Sequence, residues 1–107
     1  MSQKDLNSLL RYWRKKLGVD SSWKITAKFA LTENMQECQG LNHIFPEYQS
    51  SEILIDENNT EVEETLVHEL LHILFDGDLP IDIEYSVTHE RAINKVAALL
   101  VQSKRKK

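Results

Sequence analysis

Two histidines stand four residues apart in Val67-His68-Glu69-Leu70-Leu71-His72, with a glutamate directly after the first. On an α-helix this spacing projects both rings from one face, where two imidazole nitrogens can meet one cation. Glu69 lies beside them, placed to take a proton from a water on that cation rather than to bind it. This is the mechanical logic of the HExxH pattern, and the chemistry it points to is metal-assisted hydrolysis. The plain alternative is a pair of histidines satisfied by ordinary hydrogen bonds. Against it, the two rings share the minor polar strip of an otherwise apolar segment with Thr65 and Asp76. Unpaired rings would be costly there, and a metal would satisfy them.

A catalytic zinc usually takes three protein ligands and keeps one position for water. Three residues are candidates for the third ligand: Glu90, Asp78 and His89. Glu90 opens the last predicted helix, and a helix packed across the HELLH helix could deliver its carboxylate to the two rings. Asn94, one turn later, projects from the same face and can accept the spare ring hydrogen of a ligand histidine. His89 instead falls on the apolar stripe of Ile93, Val96 and Leu100. A helix-start carboxylate that complements the dipole is the ordinary reading of Glu90 taken alone.

The elements that must position these residues are legible in the periodicities. Leu6, Leu9, Leu10, Trp13 and Leu17 recur at helical spacing, which predicts a first helix over Lys4 to Leu17 closed by Gly18 in a left-handed turn. Ile25, Ala27 and Phe29 alternate with Lys24, Thr26 and Lys28, the period of a half-buried strand. Residues 32–40 read as loop. Leu41 to Tyr48 reads as a second strand, confined to a sheet edge by Pro46. Glu52 to Asp56 reads as a third strand.

Thr60, with Glu63 three residues on, predicts a capping box for the HELLH helix, which Gly77 and Pro80 end. Its expected core face is Val62, Leu66, Leu70, Ile73 and Leu74, widened by Leu71 and Phe75 into a deeply packed C-terminal half. A third helix is expected from about Ser86 to Ser103. The fold class expected is therefore α+β. It comprises an N-terminal helix, a small three-stranded and mostly antiparallel sheet, the HExxH helix and a C-terminal glutamate helix.

The whole chain sets the bounds. Its 107 residues suit one domain, 1–107, and 41% hydrophobic residues give it a real core. Residues 104–107 read as a flexible basic tail. A net charge of −4 argues against a general nucleic-acid binder, whose affinity rests on neutralising phosphates. No stretch is apolar enough to span a membrane, and no signal-peptide run opens the chain, so a cytoplasmic location is expected. Cys38 is the lone cysteine and cannot form an internal disulfide. It is expected to be a plain buried or half-buried thiol, the alternative being an inhibitory ligand to the metal.

HELLH followed by a helical glutamate resembles the gluzincin metallopeptidases, and the small size and element order resemble their most compact members, the minigluzincins. The resemblance covers most of the chain in layout and about ten residues in motif. It implies one zinc ion per chain held by His68, His72 and Glu90, with Glu69 as general base and acid. It also implies an edge strand that holds an extended peptide. Many gluzincins carry an aspartate where Asn94 stands. Metzincins want a glycine where Phe75 stands and a third ligand where Asp78 stands, so only half of that pattern is present.

The function expected is zinc-dependent hydrolysis of a peptide or protein substrate. The alternative is a zinc-stabilised binding or regulatory module without turnover, including a latent precursor. The expected substrate strand is Leu41, Asn42, His43, Ile44 and Phe45. His43 and Tyr85 are the candidates for steadying the developing oxyanion.

Overall fold

The computed structural model describes residues 1–76 and 87–106, and the side chains at 76 and 87–89 also lie outside the description. Helix α1 spans Gln3–Leu17. Ser2 and Asp5 cap it reciprocally, and Gly18 ends it at φ 71°, a left-handed conformation that costs glycine nothing. Leu6, Leu10 and Trp13 form its buried face.

Three strands follow: β1 (Lys24–Ala30), β2 (Gly40–Phe45) and β3 (Ser50–Asp56). The sheet order is β1-β3-β2. β3 pairs antiparallel with β2 and parallel with β1, so the pairing is evenly mixed rather than mostly antiparallel. Residues 31–39 are long enough to carry the chain past one strand position. β2 therefore takes the outside, and the β2–β3 hairpin folds back with β3 at the centre.

Pro46 does not sit inside β2. It opens a 3-10 turn, Pro46–Tyr48, so the strand ends at Phe45 instead of running to Tyr48. Its fixed φ suits the first position of a turn, where no N–H is needed. β2 does lie at the sheet edge, as Pro46 implied.

Helix α2 (Val62–Asp76) packs Val62, Leu66, Val67, Leu70, Leu71 and Ile73 into the core. The Thr60–Glu63 capping box is not what starts it. Asn59 accepts from the Glu61 amide at 2.6 Å and donates to the Thr65 hydroxyl at 2.8 Å. The Glu63 carboxylate is engaged elsewhere: it accepts from the Trp13 indole at 2.7 Å and from Lys104. Nor is the C-terminal half buried all round, since Leu74 and Phe75 are exposed. Thr65 lies against Gly40, and Glu69 against Asn42, so the last turn of α2 runs out to the end of β2, where Phe45 is exposed as well.

Helix α3 (Val87–Arg105) lays Ile93, Ala97 and Val101 on the core. Val96, assigned to its apolar stripe from the sequence, is exposed. The helix continues through Arg105, into the stretch read as a basic tail. Lys104 bonds Glu63, and its ammonium sits 4.4 Å from the centre of the Tyr12 ring. Among the described residues no helix is long and apolar enough to cross a membrane.

The Trp13–Glu63–Lys104 contact joins all three helices and makes a prediction. Burial alone would raise the Glu63 pKa, but Lys104 and Trp13, with the nearby charge of Arg105, together hold it below its ordinary value. A folded-state pKa below the unfolded one stabilises above the ordinary carboxylate range and loses that contribution as pH falls through the folded value. Glu63→Gln should therefore lower stability by about 1–2 kcal/mol at neutral pH, the scale of hydrogen bonds to a charged group. Thermal unfolding from pH 7 down to pH 3 should show the difference from wild type shrinking with acid. A gap that stays constant with pH would rule the charge out as its source.

Candidate metal centre

His68 and His72 lie one turn apart on α2, held by the apolar face that fixes the helix on the sheet. Their side chains are 15% and 8% exposed, so neither ring has much water to satisfy it. Glu90, in the first turn of α3, reaches both. Its Oε2 is 3.2 Å from His68 Nε2, its Oε1 is 3.0 Å from His72 Nε2, and the two ring nitrogens are 3.1 Å apart. The donors of the three residues all lie within 4.8 Å of one another. A tetrahedral ion with ligands at about 2.0–2.1 Å has donor–donor edges of roughly 3.3 Å, so this triangle fits one such ion. The His68-Glu69-x-x-His72 plus Glu90 triad thus has the helix arrangement of a gluzincin-like site.

The electrostatics suit a ligand role. Burial, followed by the neighbouring His72, holds His68 below its ordinary pKa, against the opposing pull of Glu90 and Asn94. The neutral ring is the form that offers a lone pair to a metal. Asn94 lines the same hollow as His68 and pulls its pKa upward, which places it beside that ligand.

Glu69 is 8% exposed and points into the same cleft. Burial pushes its pKa up to about 7, with His72 and Asn42 pulling down and Glu90 pushing further up. A carboxyl balanced there can exchange a proton near neutral pH, which is the requirement for a general base that later acts as acid. The cleft consists of two adjoining hollows of about 330 Å³ each between β2, α2 and α3.

The sequence candidates divide in this geometry. His68, Glu69, His72, Glu90 and Asn94 come together. Leu41, Asn42 and Ile44 line the cleft, and Phe45 lies exposed at the end of the strand. His43 does not reach the cleft. It is exposed and pairs across from Glu52, on the face opposite the one that carries Asn42, Ile53 and Ser51. Side chains alternate along a strand, so one residue of register decides this. Asp78 and Tyr85 lie outside the described residues, as does the side chain of His89. Cys38 is exposed, not buried, and sits at the rim of both hollows.

Two residues not singled out from the sequence shape the site. Ser51 is 2% exposed and bonds Asn42 from the central strand. Gly40 lets β2 approach α2 closely: a Cβ there would stand 2.6 Å from Thr65 Cγ2 and 3.2 Å from Glu69 Oε2. A lone glycine at the end of a predicted loop carries no sequence signal for this. Comparison with protein-family models, with curated proteins and with solved structures found no match to this chain.

Gly40→Ala should destabilise the protein by roughly 1–3 kcal/mol, the usual cost of overpacking. Thr65→Ser added to it should recover most of the loss. Serine removes the clashing methyl and keeps the hydroxyl that Asn59 uses. Chemical denaturation of the single and double variants checks this. A double variant no more stable than Gly40→Ala would show that the methyl is not the obstacle.

Proposed function

We propose that this protein is a zinc-dependent peptidase. The observation that carries the reading is the convergence of His68, His72 and Glu90 at 3.0–3.2 Å with the Glu69 carboxyl in the same cleft. Two imidazoles and one carboxylate are a ligand set that zinc accepts in hydrolytic sites. Zinc, when bound, supplies Lewis acidity toward water and toward a peptide carbonyl. His68, His72 and Glu90 would hold and orient the ion, and Asn94 would steady the His68 ring. Glu69 accepts the proton of the attacking water, then delivers it to the departing amine nitrogen as the C–N bond breaks. Its position beside both rings, one residue after His68, brings the proton carrier to the reacting atoms.

The peptide itself is read as an added strand on β2. Asp56 N–H donates to Gln39 O at 3.0 Å, which fixes the alternation of the antiparallel ladder. Leu41, His43 and Phe45 then turn their backbone groups to β3, and Gly40, Asn42 and Ile44 turn theirs to the open edge. An extended peptide can pair with those groups whatever its side chains. The opposite edge, β1, is guarded: Gln3 donates to Ala27 O at 2.8 Å, and Lys24 and Lys28 are exposed along it. Lysines and capped carbonyls are how proteins discourage pairing at an edge. β2 has no charged residue in Gly40–Phe45 and borders the metal triad.

The decisive experiment pairs metal analysis with hydrolysis of an unfolded protein substrate. One zinc per chain is expected, lost in His68→Ala, His72→Ala and Glu90→Ala. Glu69→Gln should retain the zinc and lose ~100- to 10,000-fold in rate, since an amide cannot take the proton. Full zinc occupancy with no cleavage by wild type would instead favour a zinc-stabilised binding module.

The edge is tested separately, by a structure with a bound peptide-like inhibitor. Main-chain pairing to Gly40, Asn42 and Ile44 is expected. A ligand held only by side chains away from β2 would end the assignment.

A further inference from the structure

Asn42 belongs to the edge strand, yet its side chain is committed to the active helix. Its Oδ1 accepts from the Ser51 hydroxyl at 2.5 Å, and its Nδ2 donates to the Glu69 backbone carbonyl at 3.0 Å. These partners define which way the amide faces. A flipped amide would set Oδ1 against the Glu69 carbonyl, acceptor against acceptor. Ser51 is almost wholly buried on the central strand, so it has no water to turn to and holds the amide in place. A chain of contacts thus runs from β3 through β2 to α2 and ends at Glu69.

We propose that Asn42, oriented by Ser51, is a positioning residue that fixes Glu69 relative to the metal triad and ties the open edge of β2 to the same point of α2. The role deepens the peptidase reading and rests on it. The substrate's backbone would pair at Asn42 while the proton carrier is bonded to the side chain of the same residue. One residue therefore sets the distance between the peptide and its base. Gly40, two residues earlier on the same face, keeps the strand close enough for that contact.

The donor, rather than the bulk of the side chain, is the essential feature. Asn42→Asp keeps the shape and replaces the donor by an acceptor facing the Glu69 backbone carbonyl. Asn42→Ala removes both bonds, and Ser51→Ala frees the amide to turn. All three keep His68, His72 and Glu90, so each should bind one zinc.

Steady-state hydrolysis of a peptide by the zinc-loaded proteins is the first measurement. kcat should fall ~10- to 100-fold with KM nearly unchanged, the usual effect of losing a supporting hydrogen bond. Asn42→Asp should be at least as impaired as Asn42→Ala. In the Glu69→Gln background, Asn42→Ala should cost nothing further, because the two act as one unit. A rise in KM alone, additive losses, or an Asn42→Asp enzyme with wild-type kcat would overturn the assignment.

The second measurement needs no turnover, so failure of the peptidase reading cannot be confused with failure of this one. The side-chain amide protons of Asn42, observed by NMR in the zinc-loaded protein, should exchange slowly with solvent. They should shift in both Ser51→Ala and Glu69→Gln. Fast-exchanging amide protons, or signals that neither substitution moves, would overturn it as well.

Discussion

Everything at this site depends on where α3 crosses α2. Two ring nitrogens on one helix are a pair for which hydrogen bonding to each other is a poor end state. They become a metal site only when a carboxylate from elsewhere completes the triangle, and Glu90 arrives within 3.0–3.2 Å of both. It does so from the first turn of a helix whose position is fixed further along. Ile93, Ala97 and Val101 seat α3 in the core, and Lys104 near its end is bonded to Glu63 on α2. Trp13 adds α1 to the same carboxylate. A helix pinned along its length and near its far end leaves its first turn little freedom to drift, and a ligand must be placed to a fraction of an ångström.

The second constraint is the cost of burying the carboxyl beside the triad. Glu69 sits almost out of contact with solvent, between β2 and the two rings. An isolated charge there would be expensive, and burial alone drives the group toward its neutral form. The surroundings offset part of this, His72 electrostatically from the next turn and Asn42 from the strand. A bound cation would pull the same way.

The parts of this arrangement that were legible in the sequence are those that obey a local period. The i, i+4 histidines, the adjacent glutamate and the helix carrying them follow from 3.6 residues per turn. Glu90 and Asn94 followed because a helix face repeats one turn on. The alternation of Ile25, Ala27 and Phe29 gave β1. What stayed illegible depends on partners far away in the chain. Glu63 looked like a capping residue because Thr60 stands three positions before it, but Trp13 and Lys104 compete for its carboxylate and hold it. The parallel pairing of β1 with β3 is a matter of which way residues 31–39 are routed, and no period records that. His43 was assigned to the cleft and lies on the other face, because the strand's register against β3, not its composition, decides which side faces α2. Gly40 and Ser51 escaped notice for the same reason: each matters through one contact with another element.

Once a core is built, these 107 residues leave little for a deep cleft, and the proposed peptidase reading calls for another way to hold a peptide. The sheet edge resolves that difficulty in physical terms. On that proposed reading, a peptide added to β2 would make main-chain hydrogen bonds that require no pocket, only an unguarded row of backbone groups beside the candidate metal site. The asymmetry between the two edges of this sheet is what makes such a row safe to leave open. β1 is closed by Gln3 and flanked by Lys24 and Lys28, whereas β2 is short, ends at Pro46 and is fixed to α2 through Asn42. A strand held in that way resists joining a neighbour's sheet at random. On the proposed reading, only an extended segment that also tolerates the rings and carboxylates of the cleft would complete the pairing, and the selectivity a deep pocket would give would move onto the geometry of one edge.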